Sequence, residues 1–284
     1  MIKLVLTDLD DTLIRNGLPR ATDHAIAGVQ AMRAAGLHFG PVSGRIPNDM
    51  GWMFDNHEEC YATGAYCNGQ MVYVDGKLVH AEPVSGPELN RLAAFLAETD
   101  RGILTMFDVW RGDIKTAGYF ATPSDEHAGR MLARFGAAKR YVKHLDEPSY
   151  LKANIHVLGT REEQTETRDL LRREFPDMDF VFPSNFAPLL DVSPHGWSKG
   201  SAVGVLADEL GITLDEVATF GDSENDLSML EAVPNSVSVA NASEQIKRVT
   251  RWHIGASADD AVADALFDIA AAAERGAMPS FMTE

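Results

Sequence analysis

The chain holds only two cysteines in 284 residues, Cys60 and Cys67. Two are too few for a disulfide framework, and neither keeps metal-ligand company, so both are expected as thiols in a reducing compartment. Positive charge is also scarce: 25 Lys and Arg stand against 42 Asp and Glu, a net charge of −17. A chain this acidic is a poor general binder of nucleic acid or of anionic membrane. No apolar run approaches the ~18 residues that span a bilayer. The apolar stretch after Lys3 is broken at Asp8, so no signal peptide is expected. No internal repeat is present, and the only low-complexity stretch is Ala270–Ala273. The expectation left by these absences is a cytoplasmic protein, a monomer or small homo-oligomer, with no nucleic-acid and no membrane partner. If such a protein takes an anionic substrate, its site must gather positive charge locally or borrow it from a metal.

Hydrophobic patterning supplies the architecture. "IKLVLT" (2–7) reads as a buried strand, and residues 22–36 as an amphipathic helix capped by Thr22, with Ile26, Val29 and Met32 on one face and Gly36 past its end. "LHFGPV" (37–42) is the next strand, and strand–helix–strand in this span implies a parallel sheet. Residues 65–80 carry Asn-Gly and Asp-Gly turns and read as an antiparallel ribbon. The rhythm then changes. Helices are predicted over 87–100, 124–136 and 160–175, the last opening on a Thr160/Glu163 capping box. Strands are predicted over 103–107, 114–120, 154–159, 180–182 and 189–192, with a "WRGD" turn at 110–113. Alternation returns after 197 with helix 198–211, strand 217–220, helix 224–233 and strand 236–239. The fold class is therefore α/β: a Rossmann-like parallel-sheet core of residues 1–82 and 194–284, interrupted by an α+β cap at 83–193.

Chemistry concentrates where strands end. In open parallel sheets, ligands sit beyond the carboxyl ends of the strands. "LTDLDDT" places Asp8, Asp10 and Asp11 there. If the extended backbone continues, Asp8 and Asp10 share a face and approach one point, where a hard divalent cation would relieve their repulsion. A solvated turn with capping acids is the competing explanation. An EF-hand-like loop fails, because Leu13 and Pro19 stand where glycine and glutamate belong. "ATFGDSENDLSML" (218–230) repeats the device with Asp222, Glu224, Asn225 and Asp226. A Ser223/Asp226 capping box would account for Asp226 but not for Asp222, which precedes the cap. Lys199 opens a helix, where a cation is disfavoured by ~0.3–1 kcal/mol. Arg45, in "SGRIP", is similar. Two cations at helix starts make sense if an anion binds between them; otherwise they are exposed surface charges. "GWSKGS" lacks the upstream glycine of a Walker loop.

Taken in order, "DLDDT" (8–12), "SGR" (43–45), "SKG" (198–200) and "GDSENDLSML" (221–230) resemble the four signature motifs of the haloacid dehalogenase superfamily of phosphatases. The insertion between the second and third, the "NG" at 68–69 and "LLDVSPHGWSKG" (189–200) resemble its Cof-type, sugar-phosphatase-like branch. Asp11 departs from the glycine common at its position. The resemblance implies hydrolysis of small phosphomonoesters, sugar phosphates above all, through an aspartyl-phosphate, with a small phosphorylated metabolite as partner and Mg²⁺ as cofactor. It implies Asp8 as nucleophile, Asp10 as acid and base, and Mg²⁺ held by Asp8, the Asp10 carbonyl and Asp222. Ser43, Gly44, Arg45, Lys199 and Asn225 would hold phosphate, with Lys199 neutralising charge and Asp226 in support. The cap would act as a lid hinged near 82–86 and 186–196, and Trp110 and Arg111 read as a surface turn. A phosphotransferase or mutase on the same scaffold, and a phosphate- or metal-binding module without turnover, are the competing readings.

Overall fold

Residues 1–111, 114–136, 140–184 and 187–283 are described by a computed structural model, 114 and 115 by their backbone alone. The chain divides into two units, one of residues 1–45, 49–81 and 198–284, the other of residues 46–48 and 82–197.

In the first unit, five parallel strands lie in the order Trp252–His253, Asn235–Ser238, Val217–Gly221, Leu4–Thr7 and His38–Pro41. Leu4, Val5 and Leu6 are wholly buried, as are Val217, Ala218 and Phe220. Burying such side chains contributes about 1.5–3 kcal/mol each for Val, Leu or Phe and explains the uninterrupted apolar runs of the central strands. Helix Asp23–Ala34 has Thr22 as its N-cap, accepting from the Ala25 amide at 3.0 Å, and buries Ile26, Val29 and Met32. It packs against helix Ala261–Glu274 at Gly28, where a Cβ would stand 3.2 Å from the Ala263 carbonyl. The expected ribbon forms a three-stranded antiparallel sheet of Gly64–Tyr66, Met71–Val74 and Lys77–Ala81.

Topology fixes where a site can form. The first strand has the second on one side and Val217–Gly221, from far along the chain, on the other. The strand order therefore reverses between Leu4–Thr7 and Val217–Gly221, and the crevice beyond their carboxyl ends is the place a doubly wound sheet offers a ligand.

The second unit is built around a six-stranded, mostly antiparallel sheet: Met178–Val181, Leu189–Pro194, Ala153–Val157, Gly102–Phe107, Gly118–Ala121 and Tyr141–Val142. Leu89, Leu92 and Leu96 of helix Gly86–Thr99, with Leu171 of helix Arg161–Glu174, bury against Leu104, Ile155 and Leu190. Ile103 and Phe120 pack with Met131 of helix Asp125–Phe135 in a second cluster. Thr160 and Glu163 form the expected capping box. A strand over 114–120 does not form as predicted: Ile114–Ala117 is one helical turn and the strand begins at Gly118. Gly118 through Ala121 keep strand pairing with Gly102–Phe107, which decides only that half of the segment. Residues 112–113 of the expected "WRGD" turn, and residue 186 of the expected hinge, lie outside the described residues. Among the described residues, no helix is long and apolar enough to cross a membrane.

Candidate active site

Asp8 follows the last residue of the first strand, and its amide donates to the Phe220 carbonyl at 2.9 Å, which seats it beside Asp222 at the end of the neighbouring strand. The chain then turns at once. Ile14 N–H donates to the Leu9 carbonyl at 2.8 Å and Asp11 N–H to the Ile14 carbonyl at 2.8 Å. Asp11 takes a left-handed conformation at φ 63°, which aspartate tolerates better than most residues, and its carbonyl accepts from the Asn241 amide at 2.8 Å. Asp11 is the turn residue.

That turn separates the other two aspartates. The Asp8 side chain is 7% exposed and that of Asp10 is 55% exposed. Both oxygens of Asp10 accept from Arg45, at 2.9 Å from Nε and 2.7 Å from Nη2. This forked pairing is the strong geometry for arginine and carboxylate. Arg45 also lies 6.0 Å from the Trp52 ring centre, and burial, which opposes its charge, is outweighed by Asp10, Asp49 and Asp8, so its pKa is raised. Extended backbone predicted Asp8 and Asp10 converging on one point; the turn at Asp11 sends their carboxylates to different partners.

The carboxylates that do converge are those of Asp8, Asp222 and Asp226, with oxygens within 4.8 Å of one another. Lys199, the first residue of helix Lys199–Leu210, is held between them: its ammonium stands 2.6 Å from Asp8 Oδ1 and 2.6 Å from Asp226 Oδ1. The side chain has no solvent exposure. Its awkward place at a helix start is therefore answered by two buried carboxylates. Gly200 makes the placement possible, because a Cβ there would stand 2.4 Å from the Ser228 carbonyl. Asp226 Oδ2 accepts from the amides of Asp222 at 2.9 Å and Ser223 at 3.0 Å, so the Ser223/Asp226 capping box forms and Asp226 serves cap and lysine together. The expected helix 224–233 begins as a 3₁₀ turn, Glu224–Asp226, followed by Leu227–Glu231. Thr12 donates to Asp222 Oδ1 at 3.0 Å.

Ser43 is buried, and its hydroxyl accepts from the Arg45 amide at 3.2 Å; Gly44 is half-buried between them. Asn225 accepts from the Ser223 hydroxyl at 2.9 Å, and its Nδ2 donates to Asn68 Oδ1 at 3.3 Å. The two cations expected to flank an anion are both paired with carboxylates. Sequence reasoning gave no role to Thr12, Asn68, Asn241 or Ser228, whose hydroxyl accepts from the Gly200 amide at 3.1 Å. The Asn68-Gly69 dipeptide signals a turn and resembles the Cof-type branch, but neither reading gives the Asn68 side chain a partner.

Charge is out of balance here. Burial, then the charge of Asp226, pushes Asp8 up to about 7; burial, then Asp226 and Asp8, pushes Asp222 up to about 9. Burial alone would lower Lys199, but Asp226 and Asp8 outweigh it and raise it. Three crowded carboxylates, two of them on one ammonium, fit a hard divalent cation, and every donor among the three is an oxygen, the set such ions prefer. Asp226 is committed to Lys199 and to two amides, which leaves Asp8 and Asp222 as the side chains suited to hold the ion.

Three solved structures share this fold over nearly the whole chain. SMU.1108c from Streptococcus mutans superposes with a TM-score of 0.79 at 17% identity, covering 95% of this chain and 100% of its own. BT1666 from Bacteroides thetaiotaomicron, a protein of the haloalkanoate enzyme superfamily of phosphatases, gives 0.75 at 17% identity, covering 94% of each. The subclass IIB sugar phosphatase BT4131 gives 0.72 at 20% identity, covering 93% of this chain and 97% of its own. The family model for haloacid dehalogenase-like hydrolases matches residues 5–266, so a chain with aspartates at two adjacent strand ends and a lysine buried between them belongs to that family of hydrolases.

Proposed function

We propose that the protein hydrolyses small phosphomonoesters, sugar phosphates in particular, at the site around Asp8, with Mg²⁺ as the resident cation. One observation carries the reading: the Lys199 ammonium lies 2.6 Å from Asp8 and 2.6 Å from Asp226 inside a cluster of three carboxylates. A purely structural ion pair needs one carboxylate. Three carboxylates within 4.8 Å of one another, two of them on one ammonium, leave negative charge that a bound cation would offset. The sugar-phosphate class is supported by the shared fold of BT4131, described as a sugar phosphatase.

Asp8 attacks phosphorus with a carboxylate oxygen, the ester P–O bond breaks, and an aspartyl-phosphate forms. Lys199 keeps Asp8 oriented and offsets charge that builds on the phosphoryl oxygens. Asp10 gives a proton to the departing alkoxide and then takes one from the water that releases phosphate from Asp8. Both Asp10 oxygens accept from Arg45, so one of those contacts gives way when Asp10 serves as the acid. Ser43, Gly44, Arg45 and Asn225 bind the phosphoryl oxygens. Asp8, Asp222 and the Asp10 carbonyl would hold Mg²⁺, whose positive charge would let an anionic nucleophile meet an anionic ester.

Release of inorganic phosphate from a panel of hexose, pentose and triose phosphates tests the reading. The expected result is release in Mg²⁺, a fall of at least about 100-fold in excess EDTA, and recovery when Mg²⁺ is restored. No release from any ester, or release indifferent to the chelator, would reject it. Isomerised sugar phosphate in place of free phosphate would identify a phosphotransferase.

A further inference from the structure

One four-residue turn touches all of the segments to which phosphate binding is assigned. It joins strands Gly64–Tyr66 and Met71–Val74, and Cys67, Asn68 and Gly69 all lie in the left-handed region, at φ 55°, 56° and 92°. The Cys67 amide donates to the Arg45 carbonyl at 2.9 Å, and the Asn68 amide to the Ser43 carbonyl at 2.9 Å. Gly69 presses on the start of the Lys199 helix: a Cβ there would stand 2.6 Å from the Ser198 carbonyl and 3.0 Å from the Ala202 methyl. The Asn68 side chain accepts from Asn225 Nδ2 at 3.3 Å. The turn thus contacts segments 43–45 and 198–202 through its backbone, and Asn225 through one side chain.

That last contact decides which way an amide faces. A carboxamide is nearly symmetric in shape, so its neighbours must choose between its oxygen and its nitrogen. Asn225 Oδ1 takes the Ser223 hydroxyl, while Asn68 offers an oxygen, which only a nitrogen can face without repulsion. Flipping Asn225 would set oxygen against oxygen. We propose that Asn68 is a positioning residue for phosphate binding, taking one N–H of the Asn225 amide so that the other N–H, and not the oxygen, faces the bound anion. The proposal rests on the function assigned above, in which Asn225 binds the phosphoryl group.

Asn68→Gly removes the carboxamide and keeps a residue that favours φ near 56°. Kinetics with p-nitrophenyl phosphate and inhibition by inorganic phosphate are measured for wild type, Asn68→Gly, Asn225→Ala and the double variant. The expected result for Asn68→Gly is a KM and a phosphate inhibition constant both raised about 5–20-fold, with kcat within about 3-fold of wild type. The double variant is expected to match Asn225→Ala, because a residue that acts only through Asn225 has nothing left to orient. A residue that merely holds the turn together would not give this non-additivity. If the glycine variant does not fold, Asn68→Ala gives the same comparison. Effects that multiply in the double variant, a loss of kcat with KM unchanged, or no change at all would overturn the proposal. A wild-type enzyme that releases no phosphate from any ester would overturn the assigned function and this proposal with it, and that result is separable from an active wild type with additive variants.

Discussion

Asp8→Asn is expected to lower kcat by on the order of 10⁴–10⁶-fold, the range seen when an enzyme loses a nucleophile or its activator. The amide oxygen is uncharged and far less nucleophilic, so the first bond to phosphorus does not form. The loss is expected in turnover and not in folding. Asparagine is isosteric, and its oxygen can still accept from Lys199 where Asp8 Oδ1 does now, at 2.6 Å. The substitution also removes one of three crowded carboxylates, so in EDTA the thermal midpoint is expected to stay level or rise. Single-turnover phosphate release and a melting curve on the same preparation check both halves. Near-normal turnover would remove Asp8 from the role assigned to it. A large fall in thermal midpoint would show that its charge is structural.

The second large effect is the loss of stability in Lys199→Met. Lys199 and Asp226 have no side-chain exposure, and that of Asp8 is 7%. Removing one partner of a buried ion pair costs about 3–5 kcal/mol, because the remaining charge keeps its desolvation penalty without its compensation. At ~2–4 °C per kcal/mol for a chain of this size, the transition of the first unit falls by roughly 6–20 °C. Turnover is expected to fall as well, since the proposed role of Lys199 is to offset charge developing on the phosphoryl oxygens. The two effects come apart in a double variant. Adding Asp226→Asn removes one stranded charge while an amide oxygen can still accept from the Asp222 and Ser223 amides, so part of the stability returns and none of the turnover does. Calorimetry of the single and double variants checks this. A single variant that melts within about 2 °C of wild type would mean that solvent or a rearrangement satisfies both carboxylates.

What the sequence makes legible is set by how local the cause is. Thr22 capping its helix and the Thr160/Glu163 box are decided within a few residues, and both form as read. Lys199 is legible as an anomaly, a cation where the helix dipole disfavours one, and its two carboxylates at 2.6 Å supply the reason. Asp226 was open to a capping role or a site role on sequence alone, and the geometry gives it both, one oxygen to each. The direction of Asp10 is different. It hinges on whether the backbone stays extended past Leu9, and a left-handed residue at Asp11 ends that extension. Periodicity of two cannot foresee the break, because it assumes the strand continues. Residues 114–117 fail for a related reason: they can form a helical turn, and only Gly118–Ala121 keeps strand pairing. Asn68 and Asn225 meet across 157 positions, a contact that no local pattern encodes.

The proposed function depends on Asp8 and Asp222 sharing a divalent cation while Asp8 carries the phosphoryl group beside Lys199. A crystal structure grown with Mg²⁺ and beryllium fluoride measures this directly, because the trifluoride mimics a phosphoryl group bonded to a carboxylate. The predicted result is beryllium bonded to an Asp8 oxygen, magnesium touching Asp8 and Asp222, and the Lys199 ammonium within hydrogen-bond reach of a fluorine. Beryllium bonded to another residue, or magnesium bound without Asp222, would contradict it.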